Sequence, residues 1–184
     1  VGFYVTPKIA NGVAVTESHA YIAGRNGVHV LDVSNPSSPT LTGTWPAPGS
    51  SGAAAVALAG EYAYVAAGQD GLRAINVSNP IAPTEVSSYT TSDYAYDVAV
   101  AGDYAYVAAD DAGLYIVDIS NPLSLTLTDI YTALESTQGV AVVGDYAYLV
   151  GDESGSESYL QVVNIADPAN PTPVGFYYTL SEAN

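Results

Sequence analysis

The sequence predicts an all-β fold: a β-propeller built from four four-stranded antiparallel blades of about 42 residues each. Three observations carry that expectation. The dipeptide Ala-Tyr recurs at Ala20-Tyr21, Ala63-Tyr64, Ala105-Tyr106 and Ala147-Tyr148, in steps of 43, 42 and 42 residues. Within each step the apolar residues are spaced by two, as Val98, Val100, Tyr104 and Tyr106 show, whereas a helical repeat would space them by three and four. Finally, Gly, Asp, Asn and Pro separate short runs rich in Tyr, Val and Ile, which is the punctuation of strands and tight turns.

Taken in order, Val1–Tyr4 reads VGFY, the same tetrapeptide that closes the fourth unit at 174–177, and is expected to form an outermost strand without its blade. The blades are expected at about 12–45, 54–89, 96–131 and 139–178 of a single repeat domain spanning 1–184. In the first, strands are read at Val13–Val15, His19–Ala23, Val28–Val33 and Leu41–Trp45. The second follows with Val56–Leu58, Tyr62–Ala67, Leu72–Val77 and Glu85–Tyr89. The third is the stretch 97–131, and the fourth has Val140–Val142, Tyr146–Val150, Tyr159–Ile165 and Val174–Tyr178. Gly60-Glu61, Gly102-Asp103 and Gly144-Asp145 join first to second strands, where a two-residue hairpin wants positive φ. Ser34-Asn35-Pro36, Ser78-Asn79-Pro80, Ser120-Asn121-Pro122 and Ala166-Asp167-Pro168 join third to fourth. Asn or Asp before Pro leaves the helical region and can fold its side chain onto the backbone.

Units of this kind stack face to face around an axis. Two closures fit the count: a closed four-bladed ring, or half of an eight-bladed propeller completed by a second copy. Tyr4 to Val13, Tyr89 to Val98 and Tyr131 to Val140 are each nine residues, so a further inner strand would begin near position 186. The chain, which also lacks Met, therefore reads as a processed or excised piece of something longer.

The strings VLDVSNP (30–36), AINVSNP (74–80) and YIVDISNP (115–122) resemble the LVIVD repeat, across nearly the whole chain. The resemblance implies a β-propeller in a bacterial or archaeal surface or secreted protein, and brings no catalytic residues. Leu125, where Pro39, Pro83 and Pro171 stand, and Ala166-Asp167 for Ser-Asn are local departures.

Composition excludes several functions. With 19 acids against Lys8, Arg25 and Arg73, the net charge is −16, and no phosphate-binding surface can be assembled, so nucleic acid is excluded as a partner. An anionic membrane is disfavoured likewise, and no apolar run approaches the roughly 18 residues of a membrane span. Absence of Cys removes disulfides, thiol catalysis and Cys-zinc sites. The acidity suits an extracellular or cell-surface protein.

Candidate functional residues are exceptions within the repeat. Asp97 stands in a column otherwise filled by Gly12, Ala55 and Gly139, at the entry to an innermost strand and so at the mouth of the central channel. The loop tips carry Asp70, Asp110, Asp111, Asp152, Glu153 and Glu157, joined on the same rim by Asp93 and Glu135, and carboxylates so gathered suit Ca²⁺. Tyr94 and Tyr96, in a link between units, and Trp45, the one indole, are the aromatics expected to meet a ligand; the other tyrosines recur in register as packing. His29 is expected opposite Ile22, on the other face from His19, which makes the pair a poor metal site. No G-x-S-x-G elbow occurs. These readings favour a non-enzymatic module that binds a protein or glycan through its rim, and that forms a homodimer in the eight-bladed case. The alternative is a hydrolase-type enzyme with its acidic site around Asp97.

Overall fold

The computed structural model describes residues 2–6, 8–132, 136–153 and 157–179. Blade 1 comprises β1 (Ala10–Val15), β2 (His19–Gly24), β3 (Gly27–Asp32) and β4 (Thr40–Pro46). Blade 2 has β5 (Ala55–Ala59), β6 (Tyr62–Ala66), β7 (Leu72–Asn76) and β8 (Thr84–Tyr89). In blade 3 are β9 (Asp97–Ala101), β10 (Tyr104–Ala108), β11 (Leu114–Asp118) and β12 (Thr126–Tyr131), and in blade 4 β13 (Gly139–Val143), β14 (Tyr146–Glu153), β15 (Glu157–Asn164) and β16 (Thr172–Thr179). Each blade is an antiparallel meander in chain order, and no helix occurs among the described residues.

The turns form as their chemistry requires. Gly60, Gly102 and Gly144 take φ of 56°, 56° and 57° in the first hairpins. At the end of each third strand Asp32, Asn76, Asp118 or Asn164 accepts the backbone N–H two residues on, at 2.8–2.9 Å, which fixes the chain's exit. Asn35, Asn79, Asn121 and Asp167 then do the same one turn later. A bulge interrupts every third-to-fourth pairing at the same place, between Val30 and Leu31, Ala74 and Ile75, Ile116 and Val117, and Val162 and Val163. It adds twist to the outer strand of each blade.

The core lies between blades. One cluster packs Tyr21, Val28, Val30 and Trp45 of blade 1 on Val56, Val65 and Ile75 of blade 2. A second sets Tyr64, Leu72 and Ala74 against Val98, Val107, Tyr115 and Val117 of blade 3, and a third sets Tyr106, Leu114 and Ile116 against Val140, Leu149 and Val163 of blade 4. Inner strands therefore touch in the order β1, β5, β9, β13, and no comparable contact joins β13 to β1 among the described residues. Exposure follows: Val56, Val98 and Val140 are 8%, 5% and 9% exposed, whereas Val13, their counterpart on blade 1, is 64% exposed.

One expected element is absent. Residues 2–6 form no strand, although VGFY is a full strand segment at 174–177. A strand needs a hydrogen-bonding neighbour, and none of the described strands pairs with this segment. It nevertheless keeps an outer strand's position, since a Cβ on Gly2 would strike the Pro36–Ser37 turn, much as one on Gly43 of β4 would strike the Pro80–Ile81 turn of blade 2.

Candidate functional site

The tips between second and third strands and the links between blades emerge on one rim and are tied together. Gly68 and Ala95 exchange backbone hydrogen bonds of 3.2 and 3.0 Å, and Asp110 and Thr137 exchange bonds of 3.0 and 2.9 Å. Asp110 takes φ 46° where blade 2 has Gly68 at 60°, a left-handed conformation that Asp tolerates better than most residues. Its carboxylate accepts the Ser136 hydroxyl at 2.6 Å.

Tyr94 sits at the centre of this rim. The link that carries it is pinned by Thr91 Oγ1, which donates to the Asp93 carbonyl at 2.7 Å, and by Ser92 Oγ, 2.6 Å from Tyr115 Oη. Glycine at 68 is required beneath the ring, because a Cβ there would come within 2.7 Å of Tyr94 Cζ. Tyr96 lies beside it, with ring centroids 4.6 Å apart and planes at 44°. Burial pushes the Tyr96 phenol up, and the neighbouring Asp110 carboxylate, with Asp93 and Asp111, pushes it further. Tyr94 borders two open recesses. One, of about 290 Å³, is lined by Ile9, Asn11, Arg25, Ser50 and Ser51; the other, of about 270 Å³, by Gln69, Thr91, Ser92 and Asp93. Asn11, Arg25, Ser50 and Ser51 were not legible as recess residues, because ordinary polar letters in a strand, a hairpin and a link carry no signal until the fold assembles them.

Trp45 lies in the core between blades and not on the rim. It is 5% exposed and packed between blades 1 and 2, because the indole stands in the column of Tyr89 and Tyr131 at the end of an outer strand. Asp97 is at the entry to β9 as expected, with both carboxylate oxygens engaged: Oδ1 accepts Val98 N–H at 2.8 Å and Oδ2 accepts Val140 N–H at 3.0 Å. It thus ties the inner strands of blades 3 and 4. Burial pushes the Asp97 carboxyl above its ordinary range, while the two amides pull it back.

The rim acids are dispersed. Asp70 pairs with Arg73 at 3.5 Å, and Asp152 accepts Gln138 Nε2 at 3.2 Å and Ser158 Oγ at 2.8 Å. With Asp110 held by Ser136 and Asp111 beside it, no three Asp, Glu or His side chains converge among the described residues. The side chains of Glu153 and Glu157, and all of Glu135, lie outside them. His29 pairs with Ile22 in the β2–β3 register, as expected, and is buried with Nδ1 unpartnered.

These features define an all-β, propeller-like repeat protein with a polar rim and an aromatic pair at its centre. The LVIVD repeat model matches residues 7–45, 51–91, 93–133 and 136–179, and the chain belongs to the LVIVD repeat family. No curated protein matches it in sequence. Among solved structures it is similar to the computationally designed Ika4 protein, at TM-score 0.67 and 13% identity over 87% of this chain and 93% of that one. It is also similar to a functionally unknown protein from Desulfotomaculum acetoxidans DSM 771, at 0.70 and 14% over 91% of this chain and 55% of that one. Citrobacter koseri AztD aligns at 0.59 and 11%, over 95% of this chain and 51% of its own. The chain thus spans about half the length of the last two, and at such identities the likeness shows the fold alone.

Proposed function

We propose that this chain is a non-enzymatic interaction module, displayed outside the cell or on its surface, that binds a neutral glycan along the rim at Tyr94. The observation that carries the reading is one aromatic ring held between two recesses whose linings include the Asn11 and Gln69 amides and the Ser50, Ser51, Thr91 and Ser92 hydroxyls, beside Arg25 and Asp93. A sugar presents an apolar face to stack on a ring and hydroxyls to bond with amides, serines and threonines. The charge of −16 selects against anionic ligands. Calorimetric titration with a panel of neutral oligosaccharides tests it. Binding that Tyr94→Ala abolishes and Trp45→Phe spares supports the reading. No heat from any member, or affinity indifferent to Tyr94→Ala, refutes it, and capture of a protein ligand at the same residues would replace the glycan with a peptide surface.

A further inference from the structure

We propose that blade 4 of one copy seats on blade 1 of a second copy, so that two chains close head to tail into one eight-bladed ring. The seat is the fourth member of a series that the chain builds three times. Ala14 shares a cluster with Val56, Ala57 with Val98, and Ala99 with Val140. The next pair in register is Ala141 with Val13, and within the chain Val13 is uncovered. On the blade 4 side, Val150 and Leu160 are 47% and 37% exposed, whereas Ala66 and Ala108, and Leu72 and Leu114, in the corresponding columns are fully buried; Val143 is 69% exposed where Ala59 and Ala101 are half-buried. Both surfaces have the composition and register of blade-to-blade faces, which identifies a blade of this same repeat as the occupant.

Polar features of the seat agree. At two of the other interfaces the aromatic ending an outer strand meets a fixed column of the next blade. Tyr131 Oη accepts Gln161 Nε2 at 2.9 Å, and Tyr89 packs on Tyr115 with centroids 6.2 Å apart. The remaining pair is Tyr177 with His29. Tyr177 is 66% exposed, and His29, nine-tenths buried, keeps the orphan Nδ1 that a tyrosine hydroxyl would satisfy. Lys8 and Arg25, two of the chain's three Lys and Arg residues, stand beside His29 on blade 1, and Asp152 stands on the rim of blade 4 that would approach them.

The repeated tetrapeptide then has a role. Gly43 and Ser87 sit on the Pro80–Ile81 and Pro122 turns of the following blades, the second through a 2.6 Å bond from Ser87 Oγ to the Pro122 carbonyl. Gly175 faces open space, and Gly2 holds the equivalent place on the Pro36–Ser37 turn. The VGFY at the start of the chain therefore occupies the seat that the VGFY of a partner's β16 takes on docking. A head-to-tail contact closes a ring when its rotation completes a full turn and runs on into a fibre when it does not, so the two-chain ring requires the blade-to-blade rotation to close at eight blades.

Oxidising the full chain carrying Ala141→Cys and Val13→Cys tests the seat, since the wild type has no cysteine. A single covalent species of twice 18.9 kDa on a non-reducing gel is expected. An internally bridged species of monomer mass would show self-closure and overturn the proposal, as would a ladder, or no cross-link. Light scattering on wild type and Val143→Glu provides the second arm. Loss of the dimer with an unchanged melting temperature at high dilution is expected, because Val143 is exposed in the single chain. A dimer that survives Val143→Glu, or a wild type that is strictly monomeric, overturns the proposal. Gly2→Val, which evicts the leading VGFY from the Pro36–Ser37 turn, should tighten the dimer, and weakening it would refute the exchange of the two tetrapeptides.

Discussion

Leu72 and Leu160 occupy the same column of the repeat, yet a Leu→Ala change at each should cost very different amounts. Leu72 is fully buried between blades 2 and 3, so truncation removes its transfer free energy and leaves a cavity, at about 3–5 kcal/mol. Leu160 is 37% exposed at the end of the array. Its truncation encloses no cavity and forfeits only the buried part of a side chain whose full transfer is worth ~1.5–3 kcal/mol, leaving about 1–2 kcal/mol. Urea denaturation followed by circular dichroism measures both, at a dilution where light scattering reports a single chain. Raising the concentration should enlarge the Leu160 penalty and not that of Leu72, because the proposed partner blade covers only the former. Equal penalties in the single-chain regime would refute the uncovered face and with it the reasoning from blade order to exposure.

Two further outcomes are expected. The Ser34 and Ser120 hydroxyls and amides hold Asp32 and Asp118 below the usual carboxylate range, so the stabilisation they give is complete above the unfolded-state value and is lost as pH falls through the folded one. Asp32→Asn with Asp118→Asn, which copies Asn76 and Asn164 of the other blades, should flatten the fall in melting temperature below about pH 4; an unchanged acid limb would show that these turns do not set it. For the metal, the dispersal of Asp70, Asp110 and Asp152 onto separate partners leads to a melting temperature that Ca²⁺ and chelator leave unmoved, and a rise of several degrees with Ca²⁺ would reinstate a rim site.

Much of the fold was legible because each strand is written four times and most turns three or four times. A glycine at 60, 102 and 144, or an Asn-Pro or Asp-Pro after each third strand, is read with the weight of its copies. The same redundancy hides what distinguishes the copies. Val13 and Val56 carry one letter and one register, and only the stacking order decides that the first is uncovered and the second packed. Trp45 misled for a related reason: its uniqueness drew the eye, while its column, shared with Tyr89 and Tyr131, already placed it between blades. Asp97 was located correctly as an exception to small neighbours, but what it binds, the amide of Val140 one blade away, depends on how inner strands converge.

The division of labour in the repeat follows from its geometry. Both faces of an interior blade are consumed by stacking, and the inner and outer turns are closed by hairpins and by Asp or Asn side chains. What remains free of those duties is the rim, where links and tips differ from blade to blade and where Tyr94 and Tyr96 stand, and the two faces at the ends of the array. A ligand can therefore be accommodated in the recesses beside Tyr94, outside the strand faces that the blades bury against one another. A partner chain can be accommodated on the end faces only by repeating such a contact. The two surfaces are chemically as unlike as those demands require: amides, hydroxyls and phenol rings beside Arg25 and Asp93 on one, and valines and leucine on the other.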